Sequence, residues 1–343
     1  MKRLLNTLFV TTQGAYLAKE GESVLVRNEG ETLLRAPVHT LGGVVCFGNV
    51  GVSPFLLGHC AENDVAVSFL TENGRFLARV QGPASGNVLL RRRQYRLADD
   101  PGFAAGLARS VVVGKAANCC AVLRRAARDH PERAGAPALA EAADRIADAA
   151  RRAASCADLE EVRGLEGEMA RTYFGVFGSL VLKPGEEFAF RGRSRRPPLD
   201  RINALLSFLY TLLAHDVRGA LEGVGLDPAV GFLHRDRPGR PSLALDLMEE
   251  FRPFFADRLA LSLVNRGQVR ADGFEIEATG AVRMDDATRK AVLVAYQTRK
   301  RDELAHPFLG ETVPVGMLFH VQALLLARHL RGDLEAYPPF AWR

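Results

Sequence analysis

"GRFLARVQGPASGNVLLRRRQYRLADD" runs from Gly74 to Asp100. Its front, "GRFLARVQG", is a short run of Phe, Leu and Val of strand length. Its middle, "QGPASGN" at 81–87, is rich in turn residues. From Val88 onward apolar residues recur at threes and fours, which is the period of a helix. The hydrophobic period changes within one stretch, and the chain is expected to divide there.

Before this point the chain reads as β. "AYLAKEG", "SVLVRN", "TLLRAPV", "GGVVCFG" and "VAVSFLT" are short runs of Val, Leu and Phe, punctuated by Gly, Asn and Glu at hairpin spacing. One short helix, "SPFLLGHCAEN", interrupts them. Beyond Val88 long alanine-rich segments keep helical spacing, though their apolar repeat does not persist over the heptads of a coiled coil. "KPGEEFAFRGRSRRPPLDR" breaks the helices. "INALLSFLYTLLAHDVRGALEGVG" restarts them, with Gly225 where a stop is expected. There is no internal repeat. The expected fold class is α+β: an N-terminal β-sandwich over 1–88, followed by an all-helical domain over 89–343.

The composition of the 343 residues, 48% hydrophobic and 25% charged, is that of a globular protein with a substantial core. The cysteines are Cys46, Cys60, Cys119, Cys120 and Cys156. Their number is odd and none forms a CxxC, so they are expected as reduced thiols in a cytoplasmic protein. "MKRLLNTLFVTTQG" is too short and too interrupted for a signal peptide and reads as a first strand. No run reaches the eighteen or so apolar residues of a membrane span. Net charge is +5, yet residues 1–88 hold seven basic and seven acidic side chains. The whole excess lies in the second part, which hints at a polyanionic partner there.

Three elements of that part carry candidate chemistry. In "GFLHRDRPGRPSLALDLMEEFRP" (231–253), Pro238, Gly239 and Pro241 enforce a turn, and Ser242 has the chemistry to cap a helix starting near Leu243. Asp246, Glu249 and Glu250 would share a face of that helix. His234 arrives from before the turn. An imidazole nitrogen with two carboxylates makes a partial shell for Mg²⁺ or Mn²⁺, the nitrogen tilting the choice toward Mn²⁺. On spacing alone, a solvated ion pair is the stronger reading. The second element, "RGLEGEMARTYF", offers Glu166, with Glu168 pointing to the other side of the helix. The third, "FRGRSRRPPLDR", gathers Arg191, Arg193, Arg195, Arg196 and Arg201, whose forked guanidiniums suit phosphate oxygens. A solvated charged turn fits them equally.

Read together, these pieces resemble the CRISPR-associated integrase/endonuclease family that acquires new spacers. "LEG…YF" at 165–174, "RSRRPPLDRINALLSFLYTLL" at 194–213, "GFLH" at 231–234 and "SLALDLMEEFRP" at 242–253 stand in the family's order. The tail, "YQTRKRDELAHPFL" and "LARHLRGDLEAYPPF", is similar to the branch found with compact type I systems. The resemblance implies a divalent-metal site held by Glu166, His234 and Glu249. Many members have Asp at the last position, so Glu249 is a departure with the same charge and a longer reach. Asp246 matches a further acidic position, which binds metal or orients a ligand. Glu250 has no assigned role.

The activity implied is phosphoryl transfer on DNA. A prespacer 3′-hydroxyl attacks a phosphodiester at the end of a repeat, with metal-dependent nicking of branched DNA at the same site. The five arginines would contact the DNA backbone. The partners implied are DNA, a second copy of the chain through the β domain, and a small ferredoxin-like protein in a larger complex. Two alternatives stand beside this: a DNA-binding scaffold without catalysis, and an unrelated metal-dependent phosphoesterase.

Overall fold

The computed structural model describes residues 6–63, 65–72, 76–80, 88–183 and 185–342. The first unit contains β1 (Asn6–Val10), β2 (Tyr16–Glu20), β3 (Ser23–Asn28), β4 (Glu31–Pro37), β5 (Leu41–Phe47), β6 (Gly51–Val52), α1 (Pro54–Glu62), β7 (Ala66–Leu70) and β8 (Phe76–Val80). The strands form two four-stranded sheets, ordered β1-β5-β7-β8 and β4-β3-β2-β6. β2, β3 and β4 make the antiparallel meander that hairpin spacing predicts. The other sheet departs from it: β1, β5 and β7 run parallel, and β8 returns antiparallel to β7. Parallel neighbours need a crossover, which α1 supplies between β5 and β7. Ser53 starts that helix by accepting the Leu56 N–H at 3.2 Å, with Pro54 in its first turn.

Leu17, Val24 and Val26 of one sheet share a buried cluster with Val44, Cys46 and Val67 of the other and with Leu56 and Cys60 of α1. This is the expected sandwich. The same unit takes in Leu293–Arg301, where Gln297 Nε2 donates to the Thr7 carbonyl at 3.2 Å. The chain thus returns to the first unit once, which a single division near residue 88 does not provide for. The turn-rich 81–87 stretch lies outside the described residues, as does the start of "MKRLLNTLFVTTQG". All five cysteines are buried and unbridged.

The second unit is built on helices: α2 (Val88–Ala98), α3 (Pro101–Asp129), α4 (Ala136–Ser155), α5 (Leu159–Val176), α6 (Arg201–Gly223), α7 (Ser242–Met248) and α8 (Arg258–Asn265). Two short ribbons interrupt them: β9 (Phe274–Ile276) with β10 (Val282–Met284), and β11 (Glu303–Ala305) with β12 (Thr312–Pro314). α9 (Asp286–Arg301) and α10 (Val315–Arg331) complete the chain's helices as described.

α3 lies at the centre and packs against α4 and α5. Asp100 caps it, accepting from Gly102 N–H at 2.9 Å and Phe103 N–H at 3.0 Å. By length and composition α3 could cross a membrane, but 67% of its apolar window is buried inside the fold. Gly225 does end α6. Its φ is +86°, its N–H donates to Glu222 O, and Leu226 N–H donates to Leu221 O, the paired bonds of a glycine-terminated helix.

Candidate active site

Glu166 stands on α5, at the edge of the face that buries Val162, Leu165, Met169 and Tyr173. Glu168 turns away and is held by Arg152 at 2.7 and 2.8 Å, as its two-residue offset requires. α3 brings Lys115 to the flank of Glu166. Its ammonium contacts Glu166 Oε1 and lies 2.7 Å from Glu249 Oε2. A lysine in the middle of "VVVGKAANCC" is buried, so it must be paired, and the two carboxylates are its partners.

His234 is placed by its loop, and Asp246 is the reason. Asp246 Oδ2 accepts the N–H groups of Phe232 at 2.6 Å and Leu233 at 3.0 Å. Oδ1 accepts the His234 N–H at 2.9 Å and lies 2.7 Å from His234 Nδ1. A carboxylate with three backbone donors accepts, so Nδ1 carries a proton, and Nε2 holds the lone pair whenever the ring is neutral. Nε2 faces Glu249 Oε1 at 3.9 Å. Gly231 is needed for this approach: a Cβ there would lie 2.8 Å from Asp246 Oδ2 and from Ser242 Cβ. The sequence left Asp246 as a candidate ligand. In the structure both its oxygens are saturated by the loop and it is 2% exposed, so it orients the histidine.

Two further expectations change. Ser242 does not cap α7. It lies inside the first turn, fully buried, and its hydroxyl donates to Arg235 O at 3.1 Å. The three acidic side chains do not share a face either. α7 stops at Met248 and a π-helical turn follows at Arg252–Asp257, so the helical spacing that would align them is lost. Asp246 faces the 231–234 loop and Glu249 faces Lys115 and Arg252. Glu250 faces away, toward α10 and the tail.

Glu249 is 1% exposed, with Arg252 donating to its Oε1. Burial pushes its carboxyl up, but Arg252, Lys115 and His234 override this and hold it at about 2. Burial alone would depress Lys115, and Glu249 and Glu166 instead hold it above its ordinary range. The group opposite Glu249 is therefore a pair of cationic side chains. Among the described residues no three His, Cys, Asp or Glu groups form a finished metal shell. The donors nevertheless fit a small divalent ion. They are two carboxylates and an imidazole nitrogen of fixed tautomer, and Glu249 Oε2 is a buried oxygen without a hydrogen bond of good geometry.

The ion pairs give a pH prediction. Glu249 has a depressed folded pKa, so its stabilisation is complete above the ordinary carboxylate range and is lost as pH falls toward 2. Breaking a buried pair costs about 3 kcal/mol or more. Glu249→Gln should be less stable than wild type by that order at pH 7, and the gap should close between about pH 4.5 and 2. Urea unfolding of both proteins across that range checks it; a constant gap refutes the pairing.

The basic loop divides. Arg193 is turned inward, bonded to Asn203 Oδ1 at 2.7 Å and lying 5.3 Å from the Tyr210 ring centroid. Arg201 donates to Ala271 O at 3.2 Å and Glu187 O at 2.8 Å. Arg191 pairs with Glu186 at 3.0 Å. Arg195 and Arg196 are exposed. The sequence reading missed α2, where Arg92, Arg93 and Arg96 are also exposed. Gln94 of that helix fixes it to the stretch before His234, donating at 2.8 Å to both Asp227 O and Val230 O. Four arginines in "RRRQYR", with no acid among them, were the available signal. Arg252, which the reading also passed over, lies three residues beyond Glu249.

Residues 8–298 match the family model described as CRISPR associated protein Cas1. The chain is 58% identical over 343 residues to the "CRISPR-associated endonuclease Cas1 1" of Chlorobaculum tepidum, covering 100% of both. It is 56% identical over 347 residues to "CRISPR-associated endonuclease Cas1 2" of Rhodospirillum rubrum, again covering 100% of both. Its fold is similar to that of a CAS1 protein from Thermotoga maritima, with a TM-score of 0.81 at 23% identity over 96% of this chain and 97% of that one. A casposase bound to an integration product gives 0.84 at 22% identity, over 99% and 95%. The family-model match and the full-length identities place the chain in the family of CRISPR-associated Cas1 endonucleases.

Proposed function

We propose that this protein is a divalent-metal-dependent DNA endonuclease and integrase that inserts prespacer ends into a CRISPR repeat. The observation that supports the reading is that Glu249 lies 3.9 Å from His234 Nε2 and shares Lys115 with Glu166, while Asp246 holds the histidine. Glu166, His234 and Glu249 would hold Mn²⁺ or Mg²⁺. The bound ion would supply charge neutralisation at the scissile phosphate. In the transfer, a bond forms from the prespacer 3′-oxygen to phosphorus as the bond to the repeat's 3′-oxygen breaks. Lys115 and Arg252 lie beside the carboxylates and can face the phosphate's developing charge. His234, with Nδ1 committed to Asp246, acts as a ligand.

DNA would run over Arg195 and Arg196 and over the exposed arginines of α2, which position the backbone without reading sequence. Replacing Arg92, Arg93 and Arg96 with Ala should weaken DNA binding. It should also lower the slope of log affinity against log salt by about one unit per lost phosphate contact. Arg195→Ala with Arg196→Ala should act the same way, whereas Arg193→Ala should lower stability. A slope unchanged in both surface variants would exclude these surfaces. The proposed setting is cytoplasmic, with a homodimer and a small ferredoxin-like partner. The deciding experiment is half-site integration of a labelled duplex into repeat DNA with Mn²⁺, with and without that partner. Absence of product in both arms, with DNA binding intact, would leave a non-catalytic scaffold.

A further inference from the structure

Glu249 is held from one side by Lys115 and Arg252, but the turn that carries it is held from the other. The adjacent Glu250 is fully buried. Its Oε1 accepts from Tyr337 Oη at 2.8 Å, and its Oε2 accepts from Gln322 Nε2 at 3.0 Å and Phe340 N–H at 2.7 Å. Its carbonyl accepts from Asn118 Nδ2 at 2.7 Å. Asn118 in turn binds the tail, donating to Phe340 O at 2.9 Å and accepting Trp342 N–H at 2.7 Å.

Asn118 lies one turn of α3 beyond Lys115, so one helix face grips both acidic residues. The tail is fitted into this face. A Cβ on Gly114 would lie 2.7 Å from Pro339 Cβ. The Phe340 ring sits 5.6 Å from Phe251 and 5.0 Å from Phe254, and the Arg258 guanidinium lies 4.0 Å from the Trp342 ring centroid.

We infer that residues 337–342 form a positioning segment for the active site, in which Tyr337 and Phe340 fix the Glu249–Glu250 turn through Glu250 and Asn118. The inference rests on the metal-dependent reading for its catalytic consequence, though not for its structural one. Tyr337 Oη donates to Glu250 and accepts from Gln322 Nε2 at 2.7 Å, so it acts on Glu249 through Glu250. With the phenol removed, a buried carboxylate oxygen loses its donor and the turn acquires freedom to depart from the geometry that aims Glu249 at His234 and Lys115.

Two variants test this: Tyr337→Phe, which deletes one hydroxyl, and a chain stopped after Ala336. In the metal-free protein, amide exchange in the peptide covering Leu247–Phe251 should be about tenfold faster in Tyr337→Phe, with exchange in α4 unchanged. Mn²⁺ binding without DNA, followed by the electron paramagnetic resonance of the free ion, should weaken about tenfold, and kcat for strand transfer should fall about as much, with the KM for DNA unchanged. The shortened chain should show larger changes in the same quantities. Unchanged exchange and unchanged Mn²⁺ affinity in a folded Tyr337→Phe protein would overturn the inference. A wild type without Mn²⁺-dependent strand transfer would instead overturn the proposed function, and the exchange measurement would still decide the role of the tail.

Discussion

Asp246→Ala should lose about 4 kcal/mol of stability and at least about a hundredfold in strand transfer. The stability loss follows from three backbone N–H groups, on Phe232, Leu233 and His234, that share this one carboxylate. Removing it leaves them without an acceptor beside α7, two of them on residues that are buried. The activity loss follows from His234, whose ring orientation depends on the same group. Asp246→Asn separates the two effects. The amide keeps one oxygen, so several loop bonds survive and the stability loss should fall to about 1–2 kcal/mol. Its NH₂ group, if turned to Nδ1, would force the histidine proton onto Nε2, the nitrogen that faces Glu249. Strand transfer should therefore drop nearly as far in Asn as in Ala. Urea unfolding and a single-turnover transfer assay on both variants supply the numbers. Asn with wild-type turnover would mean that the tautomer does not matter, and that His234 is not used through Nε2.

How much of this was legible depended on the distance over which the determining contacts act. The change from strand to helix near residue 88 is local, and α2 begins where the period changes. The antiparallel run β2–β3–β4 is also local, because Gly21 and Gly30 both sit at positive φ in the connecting turns. The parallel pairing of β1 with β5 joins Thr7 to Gly43, and nothing in either strand's alternation encodes that partner. In the site, Glu166, His234 and Glu249 are separated by long stretches of chain. Only the order of several motifs suggested them together.

Lys115 was legible in principle, as the lone charge in the apolar stretch 111–120 of α3, but its partners were not. The common face assigned to Asp246, Glu249 and Glu250 failed because spacing predicts a face only while the helix lasts, and α7 ends one residue before Glu249. Arg193 shows the converse. Five arginines in a loop read alike, yet Asn203 and Tyr210 of α6 draw this one inward.

Lys115→Met should make the protein less stable without metal and more responsive to it. In the wild type the ammonium neutralises Glu166 and Glu249 from between them. Methionine fills similar space without charge, so two carboxylates remain close together with Arg252 as the nearest compensation for Glu249. Leaving buried charge uncompensated costs about 3–5 kcal/mol, and the metal-free variant should unfold correspondingly earlier. A divalent ion would meet no competitor for the two oxygens. Its binding energy would then no longer be reduced by displacing an ammonium, and its affinity should rise by about tenfold or more. Stabilisation by a ligand grows as RT ln(1 + [L]/Kd), so at one Mn²⁺ concentration the rise in unfolding midpoint should be larger in the variant than in wild type. The measurement is thermal unfolding of both proteins across a Mn²⁺ titration, without DNA. Transfer activity should still fall, because the cation that can face the phosphate is gone. If Mn²⁺ stabilised wild type and Lys115→Met equally, the ion would not share oxygens with Lys115. The Glu166–His234–Glu249 assignment would then have to be abandoned.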